Sequence, residues 1–181
     1  AAPEMAERIL LDGEALRRTI VRIAHELVER NPNLERTALV GIHTRGVPFA
    51  QRLRREIEGF AGQEVALGTL DITFHRDDVH ARNGTGPLHP QPVVRATRLD
   101  FPLEGMTCVL CDDVLYTGRT IRAAIDALFD YGRPERVQLA VLVDRGHREL
   151  PIRPDYVGKN LPTRRDEVVD VHDDGVDLGE M

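Results

Sequence analysis

Three apolar runs, at residues 37–42, 106–111 and 137–143, do most to limit the fold. Each is too short for a buried helix. Each also lacks the strict alternation of a strand with one wet face, so each predicts a strand covered on both sides. Helical periodicity fills the intervals. Asp12 is placed to cap a helix from residue 13 to about 30, with Leu16, Ile20, Ile23 and Leu27 on its core face. Asn31-Pro32 stops it. A second helix is expected over about 48–58, and a third over 120–131, closed by Gly132-Arg-Pro134. Further strands are expected over 64–73, 93–99 and 167–172, with 145–165 polar and irregular and 173–181 a frayed acidic tail. Strands alternating with helices predict an α/β fold: an open, mostly parallel twisted sheet with helices on both faces, in one domain spanning 1–181.

Composition removes several function classes. Apolar residues make up 41% and charged residues 30%, the balance of a folded globular chain rather than a disordered one. No apolar run approaches the ~20 residues of a membrane helix, so no membrane role is expected. Residues 1–10 lack the basic and apolar segments of a signal peptide. Aromatics are 4% with no Trp, which argues against a base-stacking platform. The net charge of −6 excludes a generally basic coat for nucleic acid but leaves room for a local basic patch. Cys108 and Cys111 form a C-x-x-C within a predicted strand, where residues three apart face opposite sides. They are expected to be two small buried groups, and free thiols suit the cytoplasm.

Val109-Leu-Cys-Asp-Asp-Val-Leu-Tyr-Thr-Gly-Arg-Thr120 holds the chemistry. An apolar strand ends in two acids, and a short loop then opens a helix. Ligands of open parallel sheets bind beyond the carboxyl ends of the strands. A helix N-terminus offers unpaired N–H groups to a phosphate, Gly118 permits close approach, and the threonines add donors. Asp112 and Asp113 repel a phosphate but can accept hydrogen bonds from two vicinal hydroxyls. Acids beside a phosphate cradle therefore call for a sugar phosphate. Gly41-Ile-His-Thr-Arg-Gly46 likewise leaves a strand and enters a helix, and its glycines and Arg45 suit a second anion. The polar stretch 74–92 is long for a compact domain, which marks it as functional or mobile.

The twelve-residue string resembles the motif with which type I phosphoribosyltransferases bind 5-phosphoribosyl-1-pyrophosphate (PRPP). That resemblance implies a flexible lid at about 74–92, a small hood at about 145–172, and Mg2+ accompanying PRPP. It implies that Asp112 and Asp113 hold the ribose hydroxyls, that Thr117, Gly118, Arg119 and Thr120 hold the 5-phosphate, and that Val114, Leu115 and Tyr116 also line the substrate site. Thr44 and Arg45 would take the pyrophosphate, with Arg76 reaching it from the lid and a cis peptide expected at Thr44–Arg45. Asp112, Asp113 and Arg45 are the candidate catalytic residues. Purine-salvage members carry an acid where this chain has Tyr116, which argues against hypoxanthine or guanine.

A wider pattern is more specific. Segments 17–26, 40–46, 71–78, 112–120, 143–152 and 157–162 resemble the bacterial pyrimidine operon attenuation regulator family, PyrR, over about 10–171. This resemblance implies uracil phosphoribosyltransferase activity, with Arg145 and Val157 in the substrate pocket. It also implies binding to the leader RNA of pyrimidine genes when charged with UMP or UTP, by a cytoplasmic homo-oligomer, dimer or higher. Arg18, Arg22, His25 and Arg30 on the first helix, with Arg148, Arg153 and Lys159, are the candidate RNA contacts. A salvage transferase without an RNA role, or a nucleotide sensor of weak catalysis, stands as the alternative.

Overall fold

The computed structural model describes residues 8–75 and 96–180 of the 181. Helix α1 (Gly13–Arg30) begins where the Asp12 carboxylate accepts the Ala15 N–H at 2.8 Å. It ends where the Asn31 side chain turns inward to donate to the carbonyl of Leu27, the side chain of Gln138 and the Tyr156 hydroxyl. Leu16, Ile20, Ile23, Ala24 and Leu27 bury its core face as expected. Burying each of the larger ones contributes roughly 1.5–3 kcal/mol relative to exposure.

The main sheet has five parallel strands in the order β3-β2-β4-β5-β6: β2 (Thr37–Ile42), β3 (Ala66–Leu70), β4 (Thr107–Leu115), β5 (Arg136–Asp144) and β6 (Tyr156–Asn160). Helices α1 and α2 (Gly46–Ala61) cover one face, and α3 (Arg119–Phe129) covers the other. Alternation along β4 sends Cys111 to the first face and Cys108 to the second, so the two free thiols cannot meet. Burial pushes the Cys108 thiol up to about 11 and the Cys111 thiol higher still.

Several boundaries differ from the sequence reading. Strand β4 runs on through Asp112 and Asp113 to Leu115, because β5 continues pairing with it as far as Leu115↔Asp144. Residues 156–160, expected to be irregular, add an edge strand whose Val157 pairs with Val141. The expected strand over 64–73 contracts to β3, followed by a 3-10 turn at Thr73–His75. Of the expected strand at 93–99, residues 93–95 lie outside the described residues, and Arg98 forms an isolated antiparallel bridge to Thr69.

The largest correction concerns the ends. A separate antiparallel sheet has the order β1-β8-β7, from β1 (Arg8–Leu11), β7 (Glu167–His172) and β8 (Gly175–Glu180). Residues 173–180 are therefore a hairpin turn and its return strand, not a frayed tail. Val176 and Leu178 are buried there, in a stretch that read as an acidic tail, beside Val171 of the expected strand. Among the described residues no helix is long and apolar enough to cross a membrane.

Candidate active site and basic surface

The acids and both turns lie together at the carboxyl ends of β2 and β4. Asp112 is 8% exposed, and its Oδ1 accepts the Asp113 N–H at 2.9 Å. The Asp113 Oδ1 accepts the Val114 N–H at 2.8 Å. Each carboxylate thus fixes the backbone that follows it, which holds both acids at the strand's end. Gly118, at φ 94°, turns the chain into α3 without a side-chain cap. That left-handed conformation strains any residue with a Cβ. The Thr117 hydroxyl accepts the Arg119 N–H at 3.2 Å. The first-turn N–H groups of a helix lack intrahelical acceptors, which makes such a start a source of donors for a phosphate.

The second turn is packed through two glycines, Gly41 against the start of α2 and Gly46 against β4. A Cβ on Gly41 would stand 2.7 Å from Val47 Cα, and one on Gly46 would stand 3.2 Å from Asp112 Cα. Only glycine lets α2 start this close to β4. The turn contains a non-proline cis peptide at His43–Thr44, one bond earlier than the expected Thr44–Arg45. Thr44 and Arg45 are exposed at the site. The His43 ring lies 3.2 Å from the Ala96 carbonyl oxygen.

Residues 145–152 are bonded along the back of the phosphate loop. The Arg145 N–H donates to the Leu115 carbonyl at 3.0 Å. The Arg148 guanidinium donates to the Tyr116 carbonyl, to the Ile152 carbonyl and to the Asp144 carboxylate. The N–H groups of Glu149 and Leu150 donate to the Thr117 carbonyl at 2.9 and 3.2 Å. Side chains repeat the pattern: Arg119 Nε donates to Glu149 Oε1 at 3.1 Å. Arg145, 8% exposed, lies 4.3 Å over the Tyr116 ring and donates to Thr163 Oγ1 and to the carbonyls of Arg164 and Glu167. His147 meets Tyr116 edge-on at 5.6 Å, and its Nε2 contacts the Thr163 carbonyl. Tyr116, read from sequence as a loop residue standing where purine-salvage members carry an acid, is also the ring on which Arg145 rests.

The candidate RNA contacts divide into two groups. Arg18 and Arg153 are exposed, and His25 stacks on Phe60 with ring centroids 3.9 Å apart. Arg22, Arg30, Arg148 and Lys159 also brace the fold. Arg22 pairs with Glu26 and donates to the Val157 and Gly158 carbonyls. Arg30 donates to the Asp155 carbonyl and lies 5.1 Å over the Tyr156 ring, and Lys159 reaches the Leu10 carbonyl at 3.4 Å. Arg22 therefore touches Val157, the expected roof of the base pocket, although the two were read as belonging to separate sites. Arg76 and nearly all of the expected lid lie outside the described residues. Among the described residues no group of three or more His, Cys, Asp or Glu could hold a metal ion. Sequence reasoning missed Glu149 as a partner of the loop and Thr163 as a partner of Arg145 and His147, since nothing local marks contacts that span 16 to 30 residues.

Comparisons with known proteins agree with this geometry. The family model described as "Phosphoribosyl transferase domain" matches residues 8–174. The chain is 53% identical over 175 residues to the "Bifunctional protein PyrR" of Deinococcus radiodurans, covering 95% of this chain and 92% of that one. It is 58% identical over 168 residues to the protein of that name from Thermus thermophilus, covering 93% and 90%. A crystal structure of the hypoxanthine phosphoribosyltransferase of Trypanosoma cruzi superposes with TM-score 0.70 at 19% identity, covering 97% of each chain, a likeness of fold alone. The chain belongs to the phosphoribosyltransferase domain family and, within it, to the PyrR proteins.

Proposed function

We propose that this protein transfers the phosphoribosyl group of PRPP to uracil and, when charged with UMP or UTP, binds the leader RNA of pyrimidine genes. The observation that supports the transferase most directly is the contact of the Gly41–Gly46 turn with the Asp112–Asp113 pair. It brings the turn read as the pyrophosphate site against the acids read as holding the ribose, which supports the reading. The loop at 116–120 takes the 5-phosphate, Asp112 and Asp113 accept from the ribose hydroxyls, and Thr44 and Arg45 hold the pyrophosphate. Uracil N1 then forms its bond to C1 as the C1–O bond to pyrophosphate breaks. Mg2+ enters with PRPP and supplies charge neutralisation on the pyrophosphate. Arg45 can assist that neutralisation, since positive groups placed where charge develops are a leading source of rate.

The regulatory half is supported by identity of 53–58% to proteins named bifunctional and by exposed Arg18, His25 and Arg153 on an otherwise acidic chain. Phosphate contacts of this kind supply most RNA affinity, and splayed bases supply its specificity. The working form is a cytoplasmic homo-oligomer, which sedimentation of the purified chain tests. For the activity, uracil, hypoxanthine and orotate are each assayed with PRPP and Mg2+. Turnover of uracil above the other two is expected, and preference for a purine would overturn the assignment. Filter binding of a pyrimidine-leader RNA with and without UMP tests regulation, with tighter binding in its presence expected.

A further inference from the structure

We propose that Glu149 is a positioning residue whose bond to Arg119 latches the phosphate loop to the basic segment 145–153, and that nucleotide and RNA cooperate by releasing this one latch. The inference rests on the UMP-dependent RNA binding proposed above. Its basis is the seam already described, in which the carbonyls of Leu115, Tyr116 and Thr117 all accept hydrogen bonds from 145–150. The phosphate loop and the segment carrying Arg148 and Arg153 are thereby one mechanical unit.

Within that unit Arg119 and Glu149 form an ion pair between the loop and the segment at 3.1 Å, with both side chains partly exposed at 49% and 38%. Glu149 is also the one carboxylate in residues 145–153. A nucleotide 5-phosphate arriving in the loop carries up to about two negative charges and three acceptor oxygens. It competes with a single carboxylate for the planar donor fork of Arg119. RNA phosphates lying along Arg148 and Arg153 repel the Glu149 carboxylate from the other side. Both ligands thus disfavour the same contact, and whichever binds first removes a cost that the second would otherwise meet.

This sets the sign of three measurements. Calorimetric titration gives the affinity for UMP alone, for a pyrimidine-leader RNA alone, and for each in the presence of the other. By linkage the factor by which UMP strengthens RNA binding equals the factor by which RNA strengthens UMP binding. In Glu149→Ala, UMP alone and RNA alone should each bind about two- to fivefold more tightly, and the coupling factor should fall by a similar ratio, the range of one partly exposed ion pair. Glu149→Gln, which keeps an acceptor for Arg119 without the charge, should lie between the two. Adding Glu149→Ala to Arg119→Ala should leave the coupling factor at the value of Arg119→Ala alone. A wild-type coupling factor in both Glu149 variants, with melting temperatures confirming their fold, overturns the latch while leaving the regulatory reading intact. A wild-type protein that binds RNA equally with and without UMP overturns both.

Discussion

Gly46 and Cys111 meet backbone to backbone: a Cβ on Gly46 would stand 3.0 Å from the Cys111 carbonyl carbon. Neither neighbour is the movable end of a side chain, so room can come only from shifting α2 away from β4. Gly46→Ala should therefore cost about 1–3 kcal/mol, as overpacking does. That lowers the melting temperature by roughly 2–12 °C for a chain of this size. Because the shift separates Arg45 from Asp112, transfer of uracil should fall more steeply than stability. Thermal melts beside initial rates check this, and full activity at a lowered melting temperature would refute the role given to the contact.

Asp112→Asn with Asp113→Asn should keep the fold and lower uracil transfer roughly 10²-fold or more, the scale of lost transition-state electrostatics. Asn still offers an oxygen to the N–H groups of Asp113 and Val114, so the end of β4 should hold its course. Circular dichroism and initial rates test the two halves, and near-normal turnover would move the ribose site elsewhere.

Thr117→Val and Arg119→Ala should each weaken UMP. Thr117 loses its bond to the Arg119 N–H together with its donor to the phosphate, and Arg119 loses a charged fork. Calorimetry should show a loss of several-fold or more in each, and unchanged affinity in both would place the phosphate outside this loop.

His25→Ala and Arg153→Ala should weaken leader RNA and spare uracil transfer, since neither side chain braces the substrate loops. If Arg153 contacts a phosphate, its loss should reduce the logarithmic salt slope of binding by about 0.7–0.9. Arg22→Ala should behave differently, lowering RNA binding and uracil use together through the Val157 and Gly158 carbonyls it holds. Filter binding across a salt series, run beside the transferase assay, separates these patterns. Intact uracil use in Arg22→Ala would show that β6 keeps its place without it.

His172 Nε2 donates to the Asp177 carboxylate at 2.9 Å, and that hydrogen bond, with nearby Asp170 and Asp174, raises its pKa above the ordinary value. A raised folded pKa means that the contribution is complete below the unfolded value of ~6.5 and is lost as pH rises through the folded one. The β7–β8 hairpin should thus be firmer at pH 5.5 than at pH 8.5. Asp177→Asn should flatten that difference, which hydrogen exchange at Val171 and Val176 would register. An unchanged pH difference in the variant would dismiss the pair.

The parts legible in the sequence were those governed by local pattern. The core face of α1, the opposed cysteines and the loop from Asp112 to Thr120 each follow from periodicity or turn chemistry within a dozen residues. What escaped was set by pairing at a distance. Strand β4 extends past its acids because β5 accompanies it, and 175–180 became a strand because Arg8–Leu11 lies beside it. Arg22 and Arg148 read as surface charge because their carbonyl partners lie 135 and 32 residues away. The cis bond fell one residue early, within a turn whose residues had been identified.

The β1-β8-β7 sheet also orders events in the life of the chain. Its central strand, β8, joins β1 with Arg8 opposite Leu178, so closing it encloses nearly the whole polypeptide in one loop. Closure entropy grows with that length, and contacts so remote form after local ones have shortened the effective path. During synthesis β1 emerges well before β8 has been made, so its place in this sheet waits for the strand that pairs with it.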